Sequence, residues 1–235
     1  MKSLIQKALD RAGYTLKQHR NLVGMDWARD VLHLLGGRVD VAFDVGANVG
    51  QTVRYFVERF PKATIHAFEP VAGTHAELVR SVGSWPRVHC HCLALSDTDA
   101  NREIITTGLS VHSSFSSELN IADPSAKRET VTTITADSFC QQHSIAQIDV
   151  LKIDTEGHEM AVLDGAVGLL SRRAVRAVYA EVTLNKVNRH NTQFNRVFDC
   201  LTGYSYAFMG LYEIEPLQSL PAETAYCNAL FVVRE

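Results

Sequence analysis

The chain has 235 residues, 46% hydrophobic and 21% charged, a balance that supplies a sizeable core and excludes disordered, collagen-like and low-complexity classes. Lys and Arg number 23 against 26 Asp and Glu, for a net charge of −3, and no basic run gathers enough charge to hold a phosphate backbone, so nucleic acid is not an expected partner. Every apolar stretch falls short of the roughly 18 residues of a membrane span and the N-terminus lacks a secretory pattern, so the expectation is one cytoplasmic domain with a terminal extension.

Leu4, Ile5, Ala8, Leu9 and Ala12 recur at helical spacing opposite Lys2, Lys7, Asp10 and Arg11, which predicts an amphipathic helix over 3–12. That helix has few large apolar residues, so packing on the domain is favoured over lying on a membrane surface. A second helix is predicted over 25–35, with Trp27, Val31, Leu34 and Leu35 on one face and Gly36-Gly37 at its end. Residues 1–38 thus form a helical extension to a main domain over 39–235.

From residue 39 the pattern changes to short apolar runs alternating with helical segments. The predicted strands are VAFDV (41–45), TIHAF (64–68), VHCHCLA (88–94), DVLKID (149–154), VRAVYAEV (175–182), SYAFMGLY (205–212) and YCNALFVV (226–233). Predicted helices between them cover 50–60, 73–83, 136–143, 158–172 and 190–202. Strands apolar on both faces and separated by helices imply a mostly parallel sheet with helices on both faces. About thirteen residues, with Pro216 and Pro221 among them or close by, join the last two strands, which should therefore pair antiparallel. The expected fold class is α/β, a Rossmann-like class I methyltransferase sheet of seven mostly parallel strands ending in an antiparallel hairpin. The insert at 95–130 reads as a loop, with REIITT (102–107) and ETVTTIT (129–135) as candidate strands on its flanks.

Cys90, Cys92, Cys140, Cys200 and Cys227 are an odd, scattered set, expected as free thiols. In a strand, the run HCHC at 89–92 places His89 and His91 on one face and Cys90 and Cys92 on the other. No second cluster in the sequence is spaced to complete a tetrahedral site, so no metal is expected there.

DVGANVG at 44–50 ends an apolar strand and opens a helix, the placement of a nucleotide loop. Gly46 and Gly50 are spaced GxxxG rather than the GxGxxG of a dinucleotide fold, and Asp44 would repel a pyrophosphate. Its carboxylate better suits a ligand with a cationic amino group, which S-adenosylmethionine has. Glu69, in FEP at the end of the second strand, could accept both ribose hydroxyls, against the alternative of a solvated glutamate at a proline turn. Asp97, in LALSD after the third strand, is placed to accept the adenine amino group or to serve as an ordinary turn residue.

LKIDTEGHEMAVLDGA at 151–166 places Asp154 at a central strand end and Glu156, His158 and Glu159 on the turn into a helix, where open α/β sheets bind ligands. With DVGANVG and FEP, this segment resembles the FkbM-family methyltransferases, which carry DVGANxG, FEP and KIDxEGxE…LxGA in this order. The resemblance covers about 39–233, and AEV (180–182), NALFV (228–232) and GYTL (13–16) also fit the family. It implies S-adenosylmethionine-dependent O-methylation of a hydroxyl on a sugar, glycolipid or natural product. It carries Asp44, Gly46, Asn48, Gly50 and Glu69 to the cofactor, and Asp154, Glu156 and Glu159 to the acidic positions of the last motif. His158 stands where the family more often has a small residue.

Transfer of a sulfonium methyl to an alcohol needs in-line alignment and a base or a metal. Asp154 and Glu181 at strand ends, with Glu156 on the adjoining turn, are the expected catalytic centre. They would act as a carboxylate base or, less favoured, as an oxygen nest for Mg²⁺. For Glu159, a helix N-terminal carboxylate favoured by the dipole is the preferred reading. His112, Ser114 and His158 are the expected acceptor-binding residues, and Thr183 to His190 is a further polar loop placed to line that pocket. The expected partner is a small-molecule or glycan acceptor. Two other classes compete. A nicotinamide-dependent oxidoreductase is disfavoured by GxxxG, Asp44 and the terminal hairpin, and a noncatalytic S-adenosylmethionine-binding module by retention of Asp154, Glu156 and Glu181.

Overall fold

A computed structural model describes Arg11 and residues 24–106, 113–114, 127–188, 191–217 and 220–234, with backbone alone at 113–114, 216–217 and 220–225. Apart from Arg11, the helix expected over 3–12 lies outside the described residues. So do His112, most of the SVHSSFSSE stretch and His190.

The chain begins with α1 (Trp27–Leu34), β1 (Val41–Val45), α2 (Gln51–Arg59), β2 (Thr64–Phe68), α3 (Ala72–Val82) and β3 (Val88–His91). It continues through β4 (Ala94–Leu95), β5 (Ala100–Thr106), β6 (Ser113–Ser114), β7 (Lys127–Ile134), α4 (Ala136–Gln142) and β8 (Ile148–Ile153). It ends with α5 (Glu159–Asp164), α6 (Val167–Ser171), β9 (Val175–Val182), α7 (Phe194–Gly203), β10 (Tyr206–Leu217) and β11 (Leu220–Val233).

The main sheet has seven strands in the order β3-β2-β1-β8-β9-β11-β10. Neighbours are parallel from β3 to β9, and β11 runs antiparallel to both β9 and β10. This is the expected class I methyltransferase arrangement, with the terminal hairpin in place. The core is split by the sheet, as the period of two along each strand requires: Phe43, Phe68, Leu151 and Val178 pack on one side, and Ala42, Ile65, Val150 and Tyr179 on the other. On that second side, the Trp27 ring of α1 stacks on Tyr179 at 4.1 Å.

Two departures have local causes. The helix expected over 158–172 is broken into α5 and α6 between Asp164 and Val167. A Cβ at Gly165 would lie 1.9 Å from the Ser96 carbonyl oxygen, so the chain there passes too close to a neighbouring backbone for any larger residue. The insert is also more than a loop. Its flanking strands pair with each other in a second, four-stranded sheet ordered β4-β7-β5-β6, with Ala100 opposite Thr133 and Thr106 opposite Lys127. Ile104 and Val131 bury themselves against Val71, which fastens this small sheet to the end of the main one where β1, β2 and β8 terminate.

Candidate active site

At that end of the sheet lies a cavity of about 330 Å³, within the size range of small-molecule sites. Its floor is the β1 to α2 loop. Gly46 takes φ +81°, and a Cβ on it would fall 1.8 Å from the Asp154 carbonyl oxygen. Only glycine lets the ends of β1 and β8 come this close. The N–H groups of Gly46 and Ala47 both donate to the Phe68 carbonyl, locking the loop to β2.

Glu69 follows β2 and lines the cavity. Its Oε2 accepts from the Asn48 N–H at 3.1 Å and its Oε1 from the Val71 N–H at 3.0 Å. Each carboxylate oxygen has capacity for a further donor. Burial pushes its carboxyl up to about 7 against the pull of those two backbone bonds. A buried carboxylate held by two backbone donors at a cavity wall suits a vicinal diol, so the residues present fit the ribose of S-adenosylmethionine. Asn48 and Gly46 share the lining with Glu69, and Gln51 and Thr52 at the start of α2 extend it.

In the same lining the structure brings Asp154, Glu156 and Glu181 together, each offering a carboxylate oxygen within 4.8 Å of the others. Strand ends alone would not do this. Glu156 reaches the group because the turn Asp154–Gly157 is folded back, with Glu156 at φ 53° and Gly157 at φ 96°. A fully buried Glu159 holds the turn: its Oε1 accepts from the Thr155 N–H at 2.9 Å, the Thr155 hydroxyl at 3.0 Å and the Gly157 N–H at 3.2 Å. Its Oε2 accepts from the Thr192 hydroxyl. Glu159 is therefore a clamp for the turn, a task beyond simple placement at a helix start. Asn191, one residue before Thr192, donates its side-chain amide to Glu181 Oε2.

Lys152 is the member of the site that the sequence reading overlooked. It is buried in β8, lines the cavity, and sits 3.0 Å from Asp154 Oδ2 and 3.3 Å from Asp44 Oδ1. Burial opposes its charge, but Asp154 and Asp44 outweigh burial and hold its pKa above the ordinary lysine value. Its signal was available: a lysine inside an otherwise apolar strand is almost never buried without partners. Burial, then Asp154 and Glu159, pushes Glu156 up to about 7. Burial, then Asp154, Glu156 and Glu159, pushes Glu181 up to about 9.

His158 also lines the cavity, with Nε2 2.9 Å from the Ser96 hydroxyl. Burial and the neighbouring Arg102 depress its pKa to about 4, leaving a neutral imidazole near pH 7.

Other expected residues stand elsewhere. Asp44 is fully buried behind the lining, where Lys152 is its ion-pair partner at 3.3 Å. Gly50 is the N-cap of α2 at φ 93°, outside the lining. Asp97 is likewise outside it: its carboxylate accepts from the Ser96 hydroxyl at 3.0 Å and pairs with Arg102 at 2.8 Å. Of the expected acceptor residues, Ser114 is described in its backbone only, paired with Ile105 at the edge of the small sheet.

Residues 44–208 match the protein family described as the Methyltransferase FkbM domain. The chain belongs to the FkbM methyltransferase family. It is an S-adenosylmethionine-dependent methyltransferase. A 92-residue stretch is 37% identical to the AMB antimetabolite synthetase AmbE of Pseudomonas aeruginosa, covering 39% of this chain and 4% of that protein. Longer matches join this chain to the 2-O-methyltransferase NoeI of Sinorhizobium fredii, at 22% identity over 75% of this chain and 76% of that one. The 31-O-demethyl-FK506 methyltransferase FkbM of Streptomyces tacrolimicus is 28% identical over 61% of this chain and 65% of its own length. The fold is shared with a solved structure, a putative S-adenosylmethionine-dependent methyltransferase of Listeria monocytogenes, at TM-score 0.51 and 10% identity over 88% of this chain and 100% of that one. Among the described residues no helix is long and apolar enough to cross a membrane.

Proposed function

We propose that this FkbM-family enzyme methylates a hydroxyl oxygen of a sugar, glycolipid or natural-product acceptor, with Asp154, Glu156 and Glu181 as its catalytic centre. The observation that carries the reading is the convergence of these three carboxylates on a cavity that Glu69 also lines. The 2-O-methyltransferase and 31-O-demethyl-FK506 methyltransferase among its relatives are both named for oxygen acceptors, which supports the choice of atom.

S-adenosylmethionine, when bound, supplies an electrophilic methyl on a sulfonium. Glu69 accepts the ribose hydroxyls and so fixes where that methyl stands. Glu156, with its carboxyl near 7, is matched to take the acceptor hydroxyl proton at neutral pH, because a base works best when its pKa lies near the working pH. Glu181, pushed to about 9, carries its own proton at that pH, which lowers the repulsion within the group. Lys152 offsets the charge of Asp154 and keeps its carboxylate in place. His158, which lines the cavity, and Ser114, on the edge strand of the small sheet, are the acceptor contacts of this reading, with His158 the alternative base.

A second reading, Mg²⁺ or Mn²⁺ held by the same three carboxylates, is favoured by their spacing. The metal-free base ranks ahead of it, since among the described residues no further His, Cys, Asp or Glu joins the three carboxylates to complete the shell. The test is turnover to S-adenosylhomocysteine with a hydroxyl acceptor, with and without EDTA. Activity that survives EDTA supports the base; loss restored by Mg²⁺ or Mn²⁺ supports the metal; label on nitrogen or carbon overturns the proposal.

A further inference from the structure

The run HCHC has no place in the chemistry above, yet the fold does to it what sequence spacing does not. Strand register sets His66 of β2 beside His89 of β3, and Phe68 beside His91. The His66 ring stacks on His89 at 5.2 Å and on His91 at 5.3 Å. His143, at the C-terminal end of α4, closes the group from above at 5.9 Å from His91 and 6.4 Å from His66. Four imidazoles from two strands and a helix thus cluster beside Phe68 and Phe139, and none of the four lines the cavity. His66 and His143, far from HCHC in sequence, are brought beside it by parallel strand pairing and by α4.

His66 Nδ1 and His91 Nε2 face each other at 3.1 Å in a hydrogen bond, so two imidazole donors already stand side by side, and a metal that took both would replace that bond. One of the facing nitrogens carries a hydrogen, which moves to the far nitrogen of its own ring when a metal takes its place.

We propose that His66, His91, His143 and His89 form a binding site for a borderline divalent cation of the zinc type, which would cross-link the edge strand β3 to α4. Nitrogen donors select zinc and its neighbours over Mg²⁺ or Ca²⁺, which take oxygen. Among the described residues only Asp154, Glu156 and Glu181 already present ligand atoms within 4.8 Å of one another. Closing the histidine shell therefore takes a side-chain rotation, and His89 and His143 are both exposed and have room for it.

The test uses untagged full-length protein, stripped with EDTA, and competition for Zn²⁺ against a chromophoric chelator. Wild type and Glu156→Gln should each bind one equivalent at this site. The His89→Asn, His143→Asn double variant, its fold verified by circular dichroism, should bind about tenfold more weakly or worse, at least the scale on which even outer partners of a metal ligand act. Co²⁺ should give the intense visible bands of a tetrahedral nitrogen site in wild type and lose them in the double variant. Equal Zn²⁺ affinity in the folded double variant, or loss of the ion in Glu156→Gln instead, overturns the proposal.

Discussion

Glu159→Ala should damage stability and catalysis together, although Glu159 does not line the cavity. The side chain is fully buried and accepts from Thr155 twice, from Gly157 and from Thr192. A hydrogen bond to a charged group contributes about 1.5–3 kcal/mol, and leaving a buried donor unpaired costs about 1–3 kcal/mol. Removing the buried carboxylate also relieves its desolvation, and water can reach part of the turn, so the net loss should be about 3 kcal/mol. In a chain of this length that is a fall in Tm of roughly 6–12 °C. The clamp also holds Glu156 in the left-handed region at φ 53°, a conformation that costs of order 1–3 kcal/mol and persists only when its surroundings enforce it. Released, Glu156 should relax and move its carboxylate away from Asp154 and Glu181. Thermal unfolding and kcat on the purified variant check both parts, with Glu156→Gln as reference. If Glu159→Ala loses stability but keeps kcat within about threefold, while Glu156→Gln loses about 10²-fold, the turn holds itself and the clamp argument fails.

Glu69→Ala should weaken S-adenosylmethionine by about 1–3 kcal/mol with the fold intact, and titration calorimetry on the folded variant with unchanged affinity would remove Glu69 from the site. Asp97→Asn should leave cofactor affinity within about twofold, because its carboxylate is engaged with Arg102 outside the cavity; a loss near tenfold would return it to the adenine pocket. Glu69, Glu156 and Glu181 are all raised above their ordinary range, to about 7, 7 and 9. The folded apo-protein therefore holds more protons than the unfolded chain between about pH 4.5 and 9, and the stability from these groups is lost as pH rises through that window. Urea midpoints should drop between pH 6.5 and 9, less so in Glu181→Gln; a flat profile would show that these carboxyls are not perturbed. Gly46→Ala should prevent a stable fold or cost several kcal/mol, since its Cβ would strike the Asp154 backbone at 1.8 Å.

Much of the fold was legible because the parallel strands of the main sheet are short apolar runs bounded by polar turns, and VAFDV and TIHAF coincide with β1 and β2 residue for residue; the hairpin strands instead run on to Leu217 and from Leu220, through the residues expected as their connection. The small sheet was half visible. Its strands alternate Thr, Val, Ile and Glu, but nothing in their pattern says that they pair with each other rather than with the main sheet. At the site, residues that announce themselves at strand ends were found: Glu69, Asp154 and Glu181. Lys152 and Asn191 were missed because their roles depend on contacts across strands and loops. The same limit applies to HCHC, where the sequence shows two histidines on a face and only strand pairing supplies His66. Asp44 was placed near the end of β1, where the structure has it, yet its burial beside Lys152 is a matter of side-chain depth that spacing does not encode.

The most direct measurement is mass spectrometry of small-molecule extracts incubated with this chain and methyl-labelled S-adenosylmethionine. The account predicts a labelled methyl ether on a hydroxyl compound, formed together with S-adenosylhomocysteine, and its loss when Glu156→Gln replaces wild type. Label found on nitrogen or carbon, or a labelled ether formed at the same rate by the Glu156→Gln variant, would contradict it.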